Sequence, residues 1–393
     1  MTRADGSLVV EGVRIAGGGV ATIRIEGGRV TSIGPARRNG APPGAAHGEA
    51  HVDGAGLLAS IGLLDLQVNG AAGHDLTSDP ESIWAVGAAL PRSGVTAFLP
   101  TLVSPAFDVV DRAREAFLAG PPDGYTGATP LGWHVEGPFL NPARAGAHDP
   151  ACLCAPNAPA VAGWSPETGV RIATLAPELP GALEIVRALA ARGVTVSVGH
   201  TEATRDEAAA AFDAGARFVT HLFNAMPKDH TAPGVVAAAL ADERVTVGII
   251  PDGLHVEPER VALVHRSVGT KRLAIVTDAI AALGMPPGRH RLANRDVEVD
   301  EESARLPSGV LAGSVLSLDE GVRNLAAYAG IAADEALLAA TATPADLLGL
   351  PARARLAAGG IGDLVLFDAN LAPVLTVVGG RVAHDALEPG RWA

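Results

Sequence analysis

The sequence predicts an α/β protein, a (β/α)8 barrel of the TIM type with a small β domain assembled from both ends of the chain. Two patterns point there. The middle of the chain alternates short β-rich runs with alanine-rich amphipathic segments, as βα units around a parallel sheet do. Both ends instead carry hairpin signals, short apolar runs separated by glycine turns. The 393 residues accommodate one barrel of roughly 250 residues and a smaller companion, with little left for a third module.

At the N-terminal end LVVEGVRI, VATIRIEGGRVTSIG and the segment near Val52 read as strands, and the Gly-, Pro- and Ala-rich stretch from Asn39 to Ala50 reads as a loop between them. The C-terminal DLVLFDANLAPVLTVVGGRVAHD repeats this grammar, and Gly379 to Val382 echoes Gly27 to Val30. The two sets are expected to pair, which makes residues 1–58 together with 354–393 one domain and 59–353 the barrel. Within the barrel the expected strands are Leu63–Val68, Val95–Leu102, Pro130–Glu136, Arg171–Leu175, Val194–His200, Arg217–His221, Val245–Ile250 and Arg272–Thr277. Helices are expected at Ala182–Arg192, Arg205–Ala214 and Pro258–Val268. This alternation favours a closed barrel over an open doubly wound sheet. No Gly-x-Gly-x-x-Gly follows a strand and opens a helix, so a dinucleotide fold has no support.

Composition narrows the function classes. With 48% hydrophobic and 19% charged residues, the chain can bury a large core. A formal net charge of −13 argues against nucleic acid or an anionic membrane as main partner, because both call for a basic footprint. No apolar run approaches the length of a membrane span, and MTRADGSLVVEG lacks the basic-then-apolar layout of a signal peptide, so a cytoplasmic protein is expected. Cys152 and Cys154 are spaced too closely for a good disulfide and too sparsely for a thiolate metal site, which leaves a structural loop role.

In such a barrel the active site lies at the C-terminal ends of the strands. The third expected strand ends in His134-Val135-Glu136, the fifth in Gly199-His200, the sixth in Thr220-His221 and the eighth in Thr277-Asp278. One carboxylate, Glu136, and two imidazoles, His200 and His221, would converge above the barrel, a set that suits zinc or a similar metal and leaves a position for water. Asp278, at the end of an apolar run, can move a proton between water and a leaving amine, with capping or ion pairing as its bland alternative. His134 shares the side of Glu136 by the two-residue strand period and is open to a supporting or structural reading. His47, His51, His265 and His384 fall in loops, helices or terminal strands and read as structural.

The segments LLDLQVNG (63–70), HVEGPFLNPARAGAH (134–148), TLAPE (174–178), VGHTEA (198–203), THLFNAM (220–226), PDGLHV (251–256), VTDA (276–279) and LAGS (311–314) together resemble the N-acetylglucosamine-6-phosphate deacetylase family of the amidohydrolase superfamily, in order and along nearly the whole chain. The resemblance implies a barrel inserted into a small β-sandwich built from both termini. It implies one divalent metal per chain, zinc or else iron(II) or another divalent ion, held by Glu136, His200 and His221. Asp278 would then be general base and acid, and His148 would polarise the acetamide carbonyl, where a donor stabilises the developing oxyanion. Asn224, Ala225, His255 and the Leu311-Ala312-Gly313 backbone would line the sugar pocket. A homodimer and a small-molecule amino-sugar substrate follow from the same resemblance.

Two departures qualify it. Many amidohydrolases carry His-x-His at the end of the first strand and hold a second metal there, whereas this chain has Gln67-Val68-Asn69, as in the single-metal branch. Thr231 occupies the place of a family arginine that reaches the substrate phosphate across a dimer interface, and a threonine cannot make that bidentate contact. Lys228 and His230 are the nearby candidates to replace it. The expected reaction is deacetylation of N-acetylglucosamine 6-phosphate. Its rivals are deacetylation of a non-phosphorylated or different N-acetyl amino sugar and, from another class, sugar binding without catalysis.

Overall fold

The computed structural model describes residues 7–36, 49–227 and 233–392. Lys228, His230 and Thr231 lie outside the described residues, as does His47. The barrel consists of β1 (Leu63–Val68), β2 (Val95–Val103), β3 (Trp133–Glu136), β4 (Val170–Leu175), β5 (Thr195–Val198), β6 (Phe218–Val219), β7 (Thr246–Ile249) and β8 (Leu273–Ile275), paired in parallel in this order. Closure between β8 and β1 comes from the Val68–Ala279 bridge and from Asp278 N–H donating to Gln67 O at 3.0 Å. All eight strands fall where the sequence places them. The third is shorter than expected because Gly132, at φ +112, breaks the run between Pro130 and Trp133. The sixth shrinks to two residues because the chain turns left-handed at His221.

Between strands lie α1 (Ile83–Ala89), α2 (Phe107–Leu118), α3 (Ala182–Ala191), α4 (Arg205–Ala214), α5 (Val235–Ala241) and α6 (Pro258–Val268), with α7 (Leu318–Ala329) after β8. Their starts follow local chemistry. Thr204 and Glu207 form a capping box on α4, satisfying two N-terminal donors, and Pro258 opens α6 where its missing N–H costs nothing. Val135 packs in the core between sheet and helices, while its neighbours His134 and Glu136 turn to the interior. A second core of Leu64, Leu66, Leu99, Ile172, Phe218, Ala274 and Val276 packs within the barrel. There the Phe218 ring takes the space a side chain at Gly248 would need, since an added Cβ would come within 2.7 Å of it. Because barrel strands keep one face in and one out, the apolar layers leave only the strand ends for chemistry.

Terminal strands from both ends join one eight-stranded sheet, in which Leu364–Phe367 pairs antiparallel with Leu58–Ser60 and so ties the C-terminal strands to the N-terminal ones. Leu8, Val10, Ile23, Ile25, Leu364, Leu366 and Leu375 share its core. A further three-stranded antiparallel sheet, Gly288–Leu292, Arg295–Val299 and Ala304–Arg305, follows β8. None of the described helices is long and apolar enough to cross a membrane.

Candidate active site

Every strand end that carries a suspected residue turns sharply. His200, His221 and Asp278 adopt φ of 50, 29 and 53°, and Ser104, just after β2, adopts 39°. Left-handed backbone at non-glycine residues is strained, and such strain concentrates where a site demands particular side-chain directions. Here the turns bring the side chains of β3, β5, β6 and β8 to one point.

Glu136 Oε1 lies 3.0 Å from His221 Nε2 and 3.3 Å from His200 Nε2, and the two imidazole nitrogens are 3.1 Å apart. The three side chains are buried. His200 Nδ1–H donates to Arg144 O at 2.9 Å, which turns its Nε2 toward Glu136. Two imidazole nitrogens and a carboxylate oxygen this close can share one positive centre among them. The spacing matches the roughly 3.3 Å edge of a tetrahedral site with bonds of about 2.0 Å, and the carbonyl that orients His200 is what a metal-binding histidine ordinarily has. The donor set therefore fits a divalent metal.

His148 approaches from the long β3–β4 loop. Its Nε2 is 3.5 Å from the other oxygen of Glu136, its ring packs edge-on against His200 at 4.3 Å, and its Nδ1 lies 2.6 Å from Ser104 Oγ. With Glu136 and His200 it forms a second possible metal-holding trio. Burial and the nearby His200 push its pKa down to about 4, which leaves a neutral ring with one N–H. Burial would raise the Glu136 carboxyl, but hydrogen bonds with His148, His200 and His221 outweigh it and hold the group well below the usual carboxylate range.

Asp278 faces this cluster across the mouth. Its Oδ1 accepts from Asn69 Nδ2 at 2.7 Å and from Gln67 Nε2 at 3.0 Å, while Oδ2 has no partner among the described residues. Burial first, and then the charge of Glu136, raise its pKa. Gln67 also donates to Glu136 Oε2 at 3.3 Å and accepts from the Thr220 hydroxyl, so one amide braces both carboxylates. Sequence reasoning saw in Gln67 and Asn69 only missing metal ligands. Two amides one strand period apart at a strand end were the available signal for a carboxylate clamp.

A cavity of about 380 Å³ opens over these groups and is also lined by Asn224, Ala225, His255, Leu311 and Gly313, the expected sugar contacts. His255 Nδ1–H donates to Asp252 at 2.6 Å. Ala312 is not on the wall: it is fully buried with Ile280, Val297 and Leu306, and its N–H is spent on Ala304 O at 2.9 Å. Arg305, Val310 and Leu292, none of them anticipated, complete that side. His134 stays below the site, bonded to Leu66 O and Thr174 Oγ1. His51 and His265 pair with Glu49 and Glu335, and His384 lies in a terminal strand. Cys152 and Cys154 are exposed and form no disulfide, in keeping with their close spacing.

The amidohydrolase family profile matches residues 60–383, so the barrel and its mouth define an amidohydrolase, an enzyme class of hydrolases acting on amides. Human N-acetylglucosamine-6-phosphate deacetylase is 38% identical over 352 residues, covering 85% of each chain. An Escherichia coli N-acetylgalactosamine-6-phosphate deacetylase is 36% identical over 73% of this chain and 77% of its own. The solved structure of a Mycobacterium smegmatis N-acetylglucosamine-6-phosphate deacetylase variant with N-acetylglucosamine 6-phosphate superimposes with a TM-score of 0.84 at 33% identity, covering 96% of this chain and 99% of that one. The chain belongs to the N-acetylglucosamine-6-phosphate deacetylase family.

Proposed function

We propose that the chain hydrolyses the N-acetyl group of N-acetylglucosamine 6-phosphate to acetate and glucosamine 6-phosphate. One observation carries the reading: a carboxylate with one oxygen clamped and the other unspent, Asp278, faces a buried carboxylate–imidazole–imidazole triangle inside one cavity. Glu136, His200 and His221 would hold a single divalent ion, and zinc suits one carboxylate and two imidazoles. That ion, when bound, supplies Lewis acidity and acidifies water.

The chain's own groups do the rest. Asp278 Oδ2 accepts a proton from water next to the acetamide carbonyl and returns it to the leaving nitrogen, as general base and then acid. Its raised pKa favours that uptake. His148 donates from Nε2 to the carbonyl oxygen as charge develops there. The Ser104 hydroxyl, donating to His148 Nδ1, fixes the tautomer that leaves the proton on Nε2. Asn224, His255, Leu311 and Gly313 orient the sugar. Sugar binding without catalysis would leave Asp278 and its two amide supports without a task. The homodimer implied by the resemblance belongs to the same proposal, and sedimentation of the full chain tests it.

Acetate release from N-acetylglucosamine and N-acetylgalactosamine, each with and without a 6-phosphate, tests the function. Fastest turnover of N-acetylglucosamine 6-phosphate is expected. Preference for the galacto epimer or for an unphosphorylated sugar would move the reading to the other N-acetyl amino sugars.

A further inference from the structure

The segment TLAPE (174–178) runs from β4 into the loop beyond it and supplies no group to the metal triangle or to the cavity wall. Its last residue, Glu178, is half-buried, and it gathers three donors from the two segments that hold His200. Glu178 Oε1 accepts from Asn141 Nδ2 at 2.9 Å and from Glu202 N–H at 2.7 Å, and Oε2 accepts from the Thr201 hydroxyl at 2.5 Å. Asn141 lies in the β3–β4 loop that leads to His148, whereas Thr201 and Glu202 directly follow His200. One carboxylate therefore fastens that loop to the end of β5.

His200 depends on the loop twice. Asn141 N–H donates to His200 O at 3.0 Å, and Arg144 O accepts from the His200 ring at 2.9 Å. The Asn141 side chain joins these contacts to Glu178. Its Nδ2 is spent on the carboxylate, while its Oδ1 accepts from Ala143 N–H at 2.9 Å and caps the short turn Pro142–Arg144, whose last carbonyl orients the ring. Arg144 in turn pairs with Glu202. At φ 50° the backbone of His200 is strained, and such strain persists only where the surroundings hold it from more than one side. Glu178 bonds to the chain on both sides of it.

We propose that Glu178 is a positioning residue for the metal site: by tying Asn141 to Thr201 and Glu202 it fixes the direction of the His200 imidazole, and with it the affinity for the ion. The inference rests on the reading above that His200 holds a divalent metal. The test is the zinc affinity of the full chain, measured by competition with a chromogenic chelator, in wild type, Glu178→Ala, Glu178→Gln and Asp363→Ala. Glu178→Ala withdraws both acceptor oxygens and is expected to bind zinc about ten- to a hundredfold more weakly, the usual range for a lost partner behind a metal ligand. Glu178→Gln keeps an amide oxygen for Asn141 and Glu202 and is expected to recover most of the affinity. Asp363→Ala breaks a buried pair with Arg353, 2.6 Å long, in the terminal sheet, and is expected to lose stability while binding zinc as wild type does. Should Glu178→Ala fail to fold, Asn141→Ala decides, since it cuts the link between Glu178 and the Arg144 turn and must show the weaker binding instead. Wild-type affinity in the folded variant, or an equal loss in Asp363→Ala, overturns the inference while leaving the metal reading intact. Failure of wild type to bind zinc overturns the metal reading, and the inference falls with it.

Discussion

His134 and His221 are both buried imidazoles carried on barrel strands, yet they live in different chemical company. In the interior layer His134 spends both nitrogens, Nδ1–H on Leu66 O at 3.1 Å and Nε2 on the Thr174 hydroxyl at 2.7 Å. Burial lowers its pKa to about 4, so it is a neutral ring with nothing left to offer. At the mouth, His221 Nε2 crowds Glu136 and His200 within 3.1 Å, and its Nδ1 finds no partner among the described residues. Asp65 and Asp278 repeat the contrast on the carboxylate side. Both oxygens of Asp65 accept from Thr277, whereas Asp278 keeps one oxygen free. Buried polar groups are ordinarily satisfied. Among these four residues, the satisfied pair belongs to the interior layer and the pair with unspent atoms to the mouth, where the proposed metal and substrate would complete the bonding.

The contrast is broken most directly by taking away the metal. A chelator is expected to abolish acetate release, and about one equivalent of zinc per chain should restore it, because neutral Gln67 and Asn69 replace the ligands of a second ion. The interior layer, complete without metal, should keep its fold, seen as an unchanged circular dichroism spectrum. Elemental analysis giving two equivalents in active protein would show that the mouth has been misread.

Asp278→Asn comes next. The amide keeps shape and cannot accept a proton, so kcat should fall at least about a hundredfold, the lower end for a lost general acid–base group. Metal content and melting temperature should hardly move. Near-normal turnover would assign the proton to another group.

The reverse pattern is expected one layer down. His134→Leu leaves Leu66 O without its donor in a buried layer, which costs about 1–3 kcal/mol of stability. Denaturant titration reads that loss. Metal content and kcat of the folded fraction should stay far closer to wild type than in Asp278→Asn, and a hundredfold fall in kcat would mean that interior and mouth are one functional unit.

What the sequence revealed follows the same division. Apolar strand runs are dictated by burial on both faces, so all eight strands were legible, and Glu136, His200, His221 and Asp278 were legible because barrel geometry gathers strand ends. His148 lies twelve positions past Glu136, in a loop of short turns with no periodicity, and only family resemblance pointed to it. The sheet carrying Arg305 was missed although its alternation, with a two-residue turn at Ala293 and Asn294, is a hairpin signal. No local pattern says that such a hairpin borders a cavity built from the other end of the barrel sequence. Ala312 was misplaced for a related reason, since resemblance transfers a motif and not the direction of each residue within it.

The smallest expected effect tests how far the mouth tolerates change. Interior residues are locked by partners on every side, but the outer wall of the cavity has only to suit its ligand. Thr231, outside the described residues, stands where the resemblance implies an arginine. In the proposed dimer, an arginine there would add a charge-assisted contact to the phosphate of the partner's substrate. Thr231→Arg is therefore expected to raise the kcat/KM ratio of phosphorylated over unphosphorylated N-acetylglucosamine by up to about tenfold, some 1.4 kcal/mol. Stability and kcat for the unphosphorylated sugar should not follow it. Steady-state kinetics on both sugars, with the oligomeric state measured alongside, decide the matter. A ratio that does not rise in a dimeric variant would mean that the phosphate binds out of reach of position 231.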